Sequence, residues 1–152
     1  NLKLDIIKGL LMMIERKRNS NFPTGTVFEL EHIYPKKPGK NWDQDSKDDL
    51  DSVKSQIGNF TILNKSDNCK ASNHAWHKKK KDDEGKLVTD TKNSKIYYYV
   101  YSGLKVNELL LEHAGVDYDK SQHLIKKEGK FTSKVIEKLT DVYINIIIDL
   151  IK

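Results

Sequence analysis

The sequence predicts a mainly α-helical fold that carries a small antiparallel β ribbon. Three observations lead there. Apolar residues recur at three- and four-residue steps at both ends of the chain, over residues 2–17 and 132–151. Two short runs between them, 26–33 and 59–63, alternate instead and are bounded by turn-rich segments. Two strands alone are marginal in water, so helices must cover them.

The elements follow in order. Leu4, Ile7, Leu11 and Ile14 mark one face of a helix over 2–17. A turn-rich break with Pro23 precedes the first strand, in which Val27, Phe28, Leu30 and Ile33 sit among acidic residues. Pro35 closes that strand, because proline has no ladder donor. Residues 41–56 form a polar connector with a short helix at 48–54. Phe60 and Ile62 alternate with Thr61 in the second strand, and a helix is expected from about residue 67 toward the lysine run. The charged segment 80–94, with Gly85, reads as a mobile loop. Residues 94–114 read as helix, in one or two pieces broken at Gly103, and 115–130 as a connector. The last helix, 132–151, has Ile136, Leu139, Tyr143, Ile146, Ile147 and Leu150 on one face and Thr132 or Ser133 as its cap.

Composition narrows the class. The 152 residues suit one compact domain with its own core, and 37% hydrophobic against 32% charged residues suit a globular chain. The longest apolar stretches, 6–14 and 142–151, are broken by polar residues and fall short of the ~20 a membrane span needs. Asp5 and Lys8 interrupt the place where a signal peptide would be apolar. The chain begins with Asn1 rather than Met, which reads as a fragment of a longer protein or a trimmed chain. One cysteine, Cys69, cannot form an internal disulfide, and a reducing cytoplasm fits it. A net charge of +5 favours a polyanionic partner such as nucleic acid.

Three segments carry the chemistry: Glu29-Leu30-Glu31-His32-Ile33-Tyr34-Pro35, Ile57-Gly58-Asn59-Phe60-Thr61-Ile62-Leu63, and residues 64–73. Strand, strand and helix would bring them into one ββα unit. Phosphodiester hydrolysis needs a base for water, a divalent cation at the leaving oxygen and groups that hold the phosphate. His32 can be the base, since neutral imidazole accepts a proton near pH 7. Glu31 offers a carboxylate oxygen and Asn68 an amide oxygen, hard donors that suit Mg²⁺ or Mn²⁺ over Zn²⁺. Neighbours on a strand point to opposite faces, so Glu31 and His32 share a site only if the strand ends or twists there.

These segments resemble the HNH (His-Me finger, ββα-metal) endonucleases, in the subfamily of GmrSD-type C-terminal nuclease domains. That subfamily shows a Glu-His-Ile-x-Pro strand, here Glu31 to Pro35, and a Gly-Asn-x-Thr-x-Leu strand, here Gly58 to Leu63. Its Asn-x-Lys-x-Ser-Asn-like helix matches Asn68 to Asn73. Trp42, the Ser102-Gly-Leu-Lys-Val-Asn-Glu-Leu segment and Phe131-Thr132 extend the likeness over most of the chain after about residue 26. The resemblance implies a ββα-metal core at about 26–81 inside a helical domain. His32 would be the catalytic base, Asn59 the asparagine that braces the loop behind it, and Glu31 and Asn68 the metal ligands. It implies an Mg²⁺- or Mn²⁺-dependent DNA endonuclease of a restriction or anti-phage defence protein, following a regulatory or sensor domain.

Each assignment has a plainer rival. Asn68 could be a helix cap, and Asn73 and Asn64 compete with it as ligand. Asn59 could merely cap a turn, and Glu29 reads as a solvated or supporting residue. His74 and His77, three apart on the expected helix, hint at zinc, but with Cys69 as the sole thiol a closed zinc site is poorly supplied. Lys65, Lys70, Lys78, Lys79 and Lys80 are candidate phosphate contacts, or a solvated helix end. Tyr97, Tyr98, Tyr99 and Tyr101 suggest base stacking, though helical spacing favours a core role. The alternatives for the whole chain are a non-catalytic DNA-binding module that keeps the ββα shape and a protein-interaction domain working through its apolar helices.

Overall fold

A computed structural model describes every residue of the chain except Asn41 and His123. Helix α1 spans Leu2–Arg18, and the side chain of Asn1 accepts hydrogen bonds from the backbone of Lys3 and Leu4. Its buried stripe of Ile7, Leu11 and Ile14 is the one the spacing predicts. Strand β1, Phe28–His32, pairs antiparallel with β2, Phe60–Asn64, setting Leu30 opposite Ile62 and His32 opposite Phe60. Between them lies α2, Lys47–Val53, capped by Ser46.

Helix α3, Lys65–Ala71, leaves β2 with no intervening loop, capped by Asn64, and packs on both strands. It ends where Ser72 turns into positive φ (+38°). The expected helix does not run on to the lysines, and His74 and His77 lie beyond it. Lys78 to Lys81, expected as a helix end, instead lead into strand β3, Lys79–Lys81. This strand pairs with β4, Leu87–Thr89, in the segment expected to be a loop. The Asp82 carboxylate accepts from the backbone of Glu84 and Lys86, and Gly85 takes φ +78°, which closes the turn.

Helices α4, Lys95–Tyr101, and α5, Lys105–His113, are divided at Gly103 (φ +72°), as its place in the sequence suggests. The connector at 115–130 holds a third hairpin, β5 (Asp117–Asp119) and β6 (Leu124–Lys127). Helix α6, Ser133–Ile151, is capped by Thr132 and buries Ile136, Leu139 and Tyr143. Among the described residues the architecture is thus mainly helical with three two-stranded ribbons rather than one. Strands of three or four residues are too short for alternation to reveal them.

Two contacts fix the helices around the β1–β2–α3 unit. Gly58, in the turn before β2, meets α6 so closely that a Cβ there would lie 2.1 Å from the Ile136 carbonyl oxygen. Its N–H donates to the Thr140 hydroxyl. Glu15 of α1 is fully buried and accepts from the backbone of Lys105 and Val106, which satisfies the first turn of α5. Trp76 stacks on Phe131 in the core and donates to the Glu128 carbonyl. Among the described residues no helix is long and apolar enough to cross a membrane.

Candidate functional site

His32 is the last residue of β1, and the chain beyond it is held by Asn59. Ile33 N–H donates to the Asn59 carbonyl at 2.9 Å. The Asn59 side chain accepts from Tyr34 N–H at 2.8 Å and donates to the carbonyls of Tyr34 and Lys54. Asn59 has no exposed surface, so each of these bonds replaces one that water would have made. The residue braces the chain just beyond His32 rather than capping a local turn.

Because β1 ends at His32, Glu31 and His32 line one cleft of about 370 Å³ despite strand alternation. Asn68 and Ser72, from α3 and its end, form another wall, with Lys36 and Asn73. The His32 ring leans on Phe60, 4.7 Å between centroids. Burial first, then the charges of Lys36 and Lys95, push its pKa below the ordinary histidine value. The imidazole is therefore neutral at pH 7 and able to take a proton.

Glu31 is 5% exposed and faces Lys95, which has no exposed surface. Lys95 Nζ donates to Glu31 Oε1 at 3.0 Å and to the His32 carbonyl at 2.8 Å. Burial pushes the Glu31 carboxyl up and the Lys95 ammonium down, and the charge of each partner opposes both shifts. Glu31 Oε2 is buried and has no hydrogen-bond partner among the described residues. Lys95 owes its place to the start of α4, where its N–H and that of Ile96 donate to the carbonyls of Ala75 and Trp76.

The asparagines separate by their bonds. Asn64 is committed to capping: its side chain accepts from Asp67 N–H and donates to the Asp67 carboxylate. Asn68 points into the cleft instead, its Nδ2 donating to Glu29 at 2.9 Å. That bond gives Glu29 a supporting part and leaves the side-chain oxygen Oδ1 of Asn68 for another partner. Asn73 also lines the cleft but is exposed.

The family model described as GmrSD restriction endonucleases, C-terminal domain, matches residues 6–146. The chain belongs to this family. Comparisons with curated proteins and with solved structures each give no match. In this GmrSD C-terminal domain the matched span takes in His32, Asn59, Asn68 and Lys95 together.

Other expected contacts of the GmrSD-type domain are spread more widely. Lys65 and Lys70 are exposed on α3, while Lys78, Lys79 and Lys80 stand on or beside the β3–β4 hairpin and do not line the His32 cleft. Tyr98 and Tyr99 are buried, as helical spacing suggests, and Tyr97 and Tyr101 pair their rings 4.7 Å apart. Among the described residues no cluster of three or more His, Cys, Asp or Glu side chains is arranged to hold a metal. His77 contacts the Thr89 hydroxyl. Lys95 belongs to none of the three motifs, although a lysine four residues before the buried Tyr99 falls on an inward helix face.

Proposed function

We propose that this chain is a metal-dependent DNA endonuclease domain of the HNH, ββα-metal type, the nuclease module of a restriction or anti-phage defence protein. The observation that carries the reading is the convergence of His32, Glu31 and Asn68 on one cleft, with Asn59 holding the loop behind the base. Membership of a restriction endonuclease family supports it. In this reading the domain works in the cytoplasm, under a regulatory or sensor domain of a longer protein.

His32 takes the proton from the water that attacks the scissile phosphorus, a role that contributes about 10²–10⁴-fold. The depressed basicity of His32 keeps the accepting nitrogen free. Glu31 through Oε2 and Asn68 through Oδ1 would hold a divalent cation. The orphaned, buried Oε2 fits such a partner, and oxygen donors suit Mg²⁺ or Mn²⁺. When bound, the cation supplies charge neutralisation at the phosphate and the departing oxygen. Lys95 holds the other oxygen of Glu31, which fixes the direction in which Oε2 points. Asn59 is a positioning residue.

Supercoiled plasmid incubated with Mg²⁺, Mn²⁺ or EDTA tests the proposal. Nicking or linearisation with either metal and none in EDTA is expected. Salt-sensitive DNA binding by the folded protein with no cleavage in any metal would favour a non-catalytic DNA-binding module.

A further inference from the structure

His32 also lines a second pocket on its other side, of about 220 Å³, together with Lys3, Lys36 and Lys54. Tyr34, Lys36 and Lys54 are shared between this pocket and a larger cleft of about 560 Å³. That cleft is lined by Lys36, Lys37, Lys40, Lys47 and Lys54. Lys36 borders all three concavities, the one holding Glu31 and Asn68 included. All of these lysines are exposed.

The two aspartates in the lining are already engaged. Asp45 accepts from the backbone and hydroxyl of Ser133, and Asp51 accepts from the Tyr34 hydroxyl and Lys54. Five lysines against two carboxylates, one of them paired with Lys54, leave the lining of the cleft net positive. A continuous positive trough that opens beside a general base matches a phosphodiester backbone, whose charges repeat along its length. The loop that forms its wall is the one Asn59 clamps at Tyr34, so the trough and the base are held in one register.

We infer that the cleaved DNA strand leaves the His32 site along the trough between the β1–α2 loop and α2, its phosphates held by Lys36, Lys37, Lys40, Lys47 and Lys54. This rests on the nuclease reading above. It places the main phosphate contacts on that loop rather than on the β3–β4 hairpin, where the sequence concentrates lysine.

The test compares two charge-matched variants, Lys37→Gln/Lys40→Gln/Lys47→Gln and Lys79→Gln/Lys80→Gln/Lys81→Gln, each verified as folded by circular dichroism. Binding to a fluorescent DNA duplex is measured from about 50 to 200 mM salt. Each lost phosphate contact lowers the slope of log K against log salt by about 0.9. The loop variant is expected to lose roughly 2 to 3 of slope, and the hairpin variant to keep the wild-type value. An unchanged slope in the loop variant, or equal losses in both, overturns the inference while leaving the nuclease reading intact. A folded wild-type protein that neither binds nor cuts DNA contradicts the nuclease reading, and the inference falls with it.

Discussion

Lys95 is a charge with no exposed surface, and its two partners are the carboxylate of Glu31 and the carbonyl of His32. Removing one member of a buried pair leaves the other unpaired, at a cost of roughly 3–5 kcal/mol. Lys95→Met should therefore lower stability by about that amount in urea titrations, and adding Glu31→Gln should return part of it. A Lys95→Met protein with wild-type stability would show that the pair does not hold the site. His32, Asn59 and Asn68 come forward as candidates in the sequence because they stand in ordered motifs. Lys95 lies 63 residues from His32 and belongs to no motif read there, so only the packing of α4 brings it in.

At the scale of elements, Gly58 and Asp45 tie the site to α6. The Cβ of Gly58→Ala would strike the Ile136 carbonyl and Thr140. Backbone cannot give way as a side-chain tip can, so a loss of about 1–3 kcal/mol or more is expected. An unshifted melting temperature would contradict that packing. The Asp45 carboxyl is held below its ordinary value, chiefly by the Ser133 backbone N–H and then by its hydroxyl. A depressed carboxyl adds stability that is complete above the unfolded value of about 3.9 and is lost as pH falls through the folded one. The stability gap between wild type and Asp45→Asn should thus narrow as pH falls from about 5 toward 3. A gap independent of pH would mean that the Ser133 bonds carry no such linkage. The long, strongly periodic helices α1 and α6 were readable from sequence. The β3–β4 and β5–β6 hairpins were not, because three or four residues give no period to read and their turns look like ordinary polar loops.

Over the whole molecule, helices drawn from both ends of the chain and from its middle enclose the β1–β2–α3 unit. The cleft forms where β1 stops and α3 ends. The expected helical class with a small antiparallel ribbon agrees with this architecture. The lysine-lined trough leaves no signature in the sequence, because its residues are scattered from 36 to 54 and become neighbours only when the loop folds back on α2. The proposed part of His32 as the base of a nuclease is tested most directly by the loss of its imidazole. Plasmid cleavage by wild type and by His32→Ala is compared in Mg²⁺ and Mn²⁺, with folding checked by circular dichroism. A folded variant whose cleavage falls by about 10²-fold or more is expected. Wild-type rates from a folded His32→Ala protein would contradict it.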